Sequence, residues 1–165
     1  MAKIGIFYAS GKGDTKKACE YLASKIGGEL IAVKEANGED FEKYDVLILA
    51  SPSYDFAELH GDWKAKLGAL KSANLSGKLV ALVGVGNQER HPDSFVGGIV
   101  DFLPCVKDAR LVGESEKDGY DFKYSQAFIG GKFIGLALDT KGDANYEARI
   151  DKWVSLLNPE IYIFR

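Results

Sequence analysis

Several kinds of residue and pattern are scarce in this chain, and each scarcity removes a class of function. Among 165 residues there are two cysteines, two histidines and one methionine. Cys19 and Cys105 lie far apart and form no CxxC pair, which argues against a disulfide framework or a paired-thiol redox or zinc site and reads as two reduced, packing thiols. Neither the opening residues MAKIGIF nor any later run has the apolar length of a leader or of a membrane span, so the expected compartment is the cytoplasm and no membrane partner is expected. Positive charge is not in surplus: the formal net charge is −3, which disfavours nucleic acid and anionic surfaces as partners. The phosphate-binding signatures GxxxxGK[ST] and GxGxxG are both absent. Repeats, low-complexity tracts and linkers are missing too. What is present is 46% apolar and 27% charged residues, enough for one globular domain spanning 1–165 with a sizeable core.

Compact apolar runs alternate with segments of helical period. Strands are expected at residues 3–8, 29–34, 45–51 and 78–84, with a last one built from 109–113 and 133–138. Runs such as VLILA and LVALVG are apolar at consecutive positions, which suits strands buried on both faces of a parallel sheet. Helices are expected at 15–26 with Asp14 as N-cap, as a short turn near 39–42, and at 62–70, 93–106 and 146–157. The βαβαβαβαβα order predicts an α/β fold, a three-layer doubly wound sandwich around a five-stranded parallel sheet with right-handed crossovers. Residues 114–132, rich in Gly, Asp and Tyr, read as an insertion interrupting the fifth strand.

In such sheets ligands bind beyond the carboxyl ends of the strands. Three loops there share a matching character. The first, Ser10-Gly11-Lys12-Gly13-Asp14-Thr15, places backbone N–H groups and two hydroxyls at a helix N-terminus, a cradle suited to phosphate; a plain capped strand-to-helix turn is the alternative. The second is SPSYDFAELHGDW, residues 51–63, and the third GVGNQERHPDSF, residues 84–95; each carries a ring-bearing residue on a tight turn.

With all three loops in view, the sequence resembles the flavodoxins, specifically the long-chain type. Ser10, Gly13 and Thr15 match the family form S/T-x-T-G-x-T, with Lys12 departing from it. Residues 52–63 follow P-T-W-x-x-G-E-L-x-x-D-W with Tyr54 for Trp and Ala57 for Gly. Residues 84–91 follow G-x-G-D-Q-x-x-Y with Asn87 for Asp and His91 for Tyr. DGYDF, GGKFIGLALD and RIDKW match the long-chain insertion and final helix, and the tail NPEIYIFR falls outside the pattern. The resemblance implies the strand order 2-1-3-4-5 and a low-potential electron carrier rather than an enzyme. Its cofactor would be noncovalent FMN, and its protein partners transient ones, a flavodoxin reductase and acceptor oxidoreductases. The cofactor-binding residues it implies are Ser10, Gly11, Lys12, Gly13, Asp14, Thr15, Ser51, Pro52, Ser53, Tyr54, Asp55, Phe56, Ala57, Gly84, Gly86, Asn87 and His91. It implies no catalytic residue and no metal. In the family the peptide near the flavin N5 rearranges on reduction; here that falls around Asp55-Phe56, beside Ala57 where a glycine usually eases the turn.

The departures shape further expectations. Tyr54 keeps a stacking ring with less area than Trp. His91 places an imidazole, which titrates near neutral pH, by the flavin, or else is an exposed loop residue between Arg90 and Pro92. Lys12 reads in two ways, as a direct charge added to the cradle or, the favoured reading, as a stem that points to water and leaves binding to the amides. Glu58, Asp62, Asp121 and Asp139 read as a solvated rim. Two other classes stay open: an FMN-dependent NAD(P)H:quinone oxidoreductase on the same fold, and a non-redox binding module, including a metal or haem site on His60 and His91.

Overall fold

The structure, a computed structural model, describes residues 2–163, with Asp55 described by its backbone alone. Five elements run parallel at its centre: β1 (Ile4–Tyr8), β2 (Glu29–Ala32), β3 (Val46–Tyr54), β5 (Leu79–Gly86) and a fifth position shared by β6 (Arg110–Val112) and β9 (Leu136–Asp139). Their order is β2-β1-β3-β5, followed by β6 and β9, both paired to β5. This is the expected 2-1-3-4-5 sheet. Its last strand comes in two pieces: β6 lies along Leu79–Ala81 and β9 along Val83–Gly86.

Alternation along the strands divides the core into two layers. Ile4 and Ile6, Val46, Ile48 and Ala50, and Ala81, Val83 and Val85 face α1 (Asp14–Ile26) and α4 (Tyr146–Ile163), where Leu22, Trp153 and Leu157 meet them. Phe7, Leu47, Leu49, Val80 and Leu82 face the other way, onto α2 (Gly38–Glu42), α3 (Gly61–Ser72) and the 3-10 segment Gly97–Cys105, through Phe41, Trp63 and Phe102. Trp63 Nε1 donates to the Ala50 carbonyl at 2.8 Å, tying α3 to the strand that carries the second loop. Strands buried on both sides are why VLILA and LVALVG show no polar alternation.

Four local expectations need correction. Gly13, at φ 93°, is the N-cap of α1, and Asp14 is its first helical residue; the left-handed turn is open to Gly at little cost. The helix expected at 93–106 is a 3-10 run, Gly97–Cys105, entered through Val96 at φ 48° and containing Pro104. The Gly97-Gly98 pair and a proline lacking its N–H weaken an α-helix there. Phe133 belongs to a small hairpin, β7 (Phe128–Ile129) with β8 (Lys132–Phe133), and not to the sheet. The tail beyond Leu157 continues α4 to Ile163, while Phe164 and Arg165 lie outside the described residues. Gly135 marks where the chain returns to the sheet: a Cβ there would collide with the Leu82 carbonyl oxygen.

Candidate functional site

The carboxyl ends of β1, β3, β5 and β9 open onto one cleft of about 460 Å³, within the size range of small-molecule sites. Ser10, Gly11, Lys12, Asp14 and Thr15 line it from the first loop, Pro52, Ser53 and Tyr54 from the second, and Gly86, Asn87 and His91 from the third. Four more lining residues, Val85, Arg90, Thr140 and Lys141, were not singled out in the sequence. Thr140 and Lys141 directly follow β9, so the rule that directs attention to strand ends points to them once the fifth strand is placed.

The first loop is folded around Ser10. Its Oγ accepts from the Gly13 amide at 3.0 Å and from the Lys16 amide at 3.4 Å. The amides of Gly11, Lys12, Asp14 and Thr15 have no acceptor among the described residues. They stand at the N-terminus of α1, where unpaired N–H groups and the helix dipole favour an anion. Thr15 is buried and Lys12 exposed. Asp14 pairs with Lys141 at 3.1 Å, which brings a second lysine to the cradle's edge.

In the second loop β3 runs on to Tyr54, turns through Asp55–Ala57 and comes back as β4 (Glu58–Leu59), with Ser53 opposite Leu59 and Tyr54 opposite Glu58. Phe56 (φ 62°) and Ala57 (φ 59°) are consecutive left-handed residues. Phe56 is 90% exposed, and the Tyr54 ring is 41% exposed with its hydroxyl 2.7 Å from where a Gly11 Cβ would stand. Burial, followed by the charge of Asp62, pushes the Tyr54 phenol above its usual range. Phe56 and Ala57 sit at the rim outside the cleft lining. Ser51 and Gly84 are buried behind the cleft: Ser51 Oγ accepts from the His60 amide at 3.2 Å, and a Cβ on Gly84 would press on Val96 at 2.8 Å. Ser53 Oγ likewise turns inward to accept from the Gly98 amide at 2.9 Å. His60 Nδ1 accepts from the Asp62 amide at 3.0 Å and caps α3.

The third loop is folded by Asn87, whose Oδ1 accepts from the amides of Glu89 and Arg90 at 3.1 Å each. His91 is half-buried at the cleft wall, its amide donating to the Asn87 carbonyl at 2.9 Å. One acidic residue expected on the solvated rim is elsewhere: Asp139 is only 2% exposed, with N–H groups of Gln88, Lys141 and Gly142 on its carboxylate. Pairing with N–H donors is what makes burial of a carboxylate tolerable. A second, smaller hollow of about 220 Å³ lies between the insertion and α4. Two of its three cations are engaged, Arg149 by the carbonyls of Glu116, Lys117, Asp118 and Ala137 and Lys152 by Asp118, while Lys132 is exposed at its edge.

Comparison with known proteins agrees with this geometry. A family model described as a flavodoxin domain matches residues 5–102. The chain is 35% identical to a flavodoxin of Helicobacter pylori over 156 residues, covering 93% of this chain and 95% of that one. It is 34% identical to a flavodoxin of Nostoc sp. over 164 residues, 96% of each. Among solved structures, that of Fusobacterium nucleatum flavodoxin bound to flavin mononucleotide superposes with a TM-score of 0.91 at 34% identity, over 97% of this chain and 99% of that one.

Proposed function

The chain belongs to the flavodoxin family, and on that premise we propose that it is a carrier of low-potential electrons on noncovalently bound FMN, held where the three loops meet. The observation that carries this reading is the first loop: the free amides of Gly11, Lys12, Asp14 and Thr15 at a helix N-terminus, opening into the cleft. That donor set fits a phosphate monoester. FMN, when bound, supplies one- and two-electron carriage; the protein binds, orients and tunes it. Ser10 and Thr15 add hydroxyls to the cradle, while Tyr54 and His91 offer the flat faces that a flavin ring needs. Lys12, Lys141 and Arg90 make the cleft mouth positive, which suits the phosphate and opposes loss of the anion.

The protein acts by carriage and not by turnover of a substrate of its own. Its partners are a reductase and acceptor oxidoreductases that dock transiently on the loop face, where Glu58 and Asp121 are exposed and Phe56 projects. With a net charge of only −3, charge steers that encounter gently. Two free thiols, Cys19 and Cys105, suit a reducing cytoplasm, and no helix among the described residues is long and apolar enough to cross a membrane.

The test is an absorbance and fluorescence titration of the apo-protein with FMN and with riboflavin. FMN is expected to bind with quenched fluorescence, and riboflavin, which lacks the phosphate, distinctly more weakly. Equal affinities would show that the cradle is not used, and no uptake of either would end the carriage reading.

A further inference from the structure

Gln88 stands in the third loop but does not line the cleft. Its side-chain amide bridges two other parts of the chain. Nε2 donates to Asp139 Oδ2 at 3.0 Å, with the Gln88 backbone N–H on the same oxygen at 3.4 Å. Oε1 accepts from the Asp121 amide at 2.6 Å. Only one orientation of the amide satisfies both bonds, since a carboxylate needs a donor and an N–H needs an acceptor. Asp139 ends the last strand and Asp121 lies in the long insertion, so one side chain ties the loop to both.

A second strut holds the loop's far end. The Pro92 carbonyl accepts from the Lys123 amide at 2.8 Å and the Tyr124 amide at 2.9 Å. Between the struts Asn87 folds residues 87–90 into a turn of their own, leaving His91 with its backbone fixed at both neighbours. The Asp139 carboxylate is itself fixed: Lys141 and Gly142 amides hold Oδ1 at 3.3 and 2.8 Å. The Asp139 backbone N–H donates to the Tyr120 hydroxyl at 3.1 Å. Tyr120 in turn donates to Asp143 at 2.7 Å and lies under the Arg149 guanidinium at 3.5 Å.

We propose that Gln88 is a positioning residue whose amide clamps the His91 loop to the last strand and the insertion, and so sets where the His91 ring stands against the cofactor. The inference rests on the FMN reading. It gives the long insertion a task at the site that its sequence does not announce, because none of its residues reaches the cleft. The loop's wall residues, Asn87, Arg90 and His91, are then placed by a frame outside them.

The experiment compares wild type, Gln88→Ala and Gln88→Glu in FMN affinity and in the visible circular dichroism of the bound flavin. Gln88→Ala is expected to weaken FMN roughly tenfold, the loss of a hydrogen bond to a charged group, with altered flavin dichroism. Gln88→Glu keeps an acceptor for the Asp121 amide but faces Asp139 with a second carboxylate. Like charge and burial raise the introduced carboxyl's pKa, so at about pH 8 the variant is worse than Gln88→Ala. As pH falls to about 5.5 the neutral carboxyl again donates to Asp139, and affinity and dichroism return toward wild type measured at the same pH. Taking each ratio to wild type removes the contributions of His91, Glu89, Arg90, Asp121, Asp143, Lys141 and Arg149, which all three proteins share. Should Gln88→Ala fold poorly, the two protonation states of Gln88→Glu give the comparison within one folded protein. Wild-type affinity and dichroism in Gln88→Ala would overturn the clamp, as would a Gln88→Glu deficit unchanged at low pH. A wild-type protein that takes up no FMN refutes the carriage reading instead, so the two failures are distinct.

Discussion

Replacing Phe56 isolates the cost of the turn at the tip of the second loop. Phe56 has φ 62° and ψ 25°, and its side chain is 90% exposed. An L-residue in the left-handed region is disfavoured by about 1–2 kcal/mol, and an exposed ring returns almost none of that through burial. Phe56→Gly removes the steric cost but enlarges the unfolded ensemble, a loss of about 0.5–1 kcal/mol. The apo-protein is therefore expected to gain about 0.5–1 kcal/mol. Phe56→Ala keeps the same Cβ clash and should be neutral, with Phe56→Asn between them because Asn tolerates this region. In urea unfolding followed by far-UV circular dichroism, a slope of about 2 kcal/mol/M turns the glycine gain into a midpoint about 0.25–0.5 M higher. Since Phe56 does not line the cleft, FMN affinity should stay within about threefold, roughly 0.6 kcal/mol. A destabilised Phe56→Gly would show that the ring makes stabilising contacts, and an alanine variant that gains as much as glycine would show that the ring and not the backbone carries the cost; either result refutes the strain account.

Ser10→Ala removes the acceptor for the Gly13 and Lys16 amides; it should cost about 1 kcal/mol of stability and weaken FMN more than riboflavin, and an equal loss for both ligands would separate Ser10 from the phosphate. His91→Tyr exchanges the imidazole at the cleft wall for a larger aromatic ring and should tighten FMN through added stacking area; a titration that finds the affinity unchanged would leave His91 as a loop residue only. Burial pushes the Cys19 thiol up to about 12 from 9.0. Because the folded value is raised, the associated stability is intact below about pH 9 and is lost as pH climbs toward about 12. Native Cys19 should thus resist iodoacetamide until the chain unfolds, and rapid native alkylation would contradict its burial.

The apolar runs made the sheet legible because burial on both faces leaves a continuous signal in sequence, and the loops at three strand ends were legible because glycines, hydroxyls and rings concentrate there. What stayed hidden depends on contacts across long stretches of chain. Asp139 looks like any acidic residue after a strand, and only the return of Gln88 and of the Lys141-Gly142 turn onto its carboxylate makes it a buried anchor. Residues 93–106 have the apolar content of a helix, yet the Gly97-Gly98 pair lies so close beneath the second loop that a Cβ on Gly98 would meet the Glu58 backbone at 2.9 Å; close approach, not helix period, chose those glycines. Lys141 joins the site through a partner on another loop, Asp14. That pairing has no local signature.

The split fifth strand has a consequence for how copies of this chain meet one another. A parallel sheet ends in rows of unpaired N–H and C=O groups, and a long flat edge is a template for adding strands from neighbouring molecules. Here that border is one three-residue piece and one four-residue piece, Arg110–Val112 and Leu136–Asp139, with the insertion leaving the sheet between them. A neighbouring strand would find the register interrupted after three residues, so the detour that frames the third loop also keeps the border too short for edge-to-edge growth into aggregates.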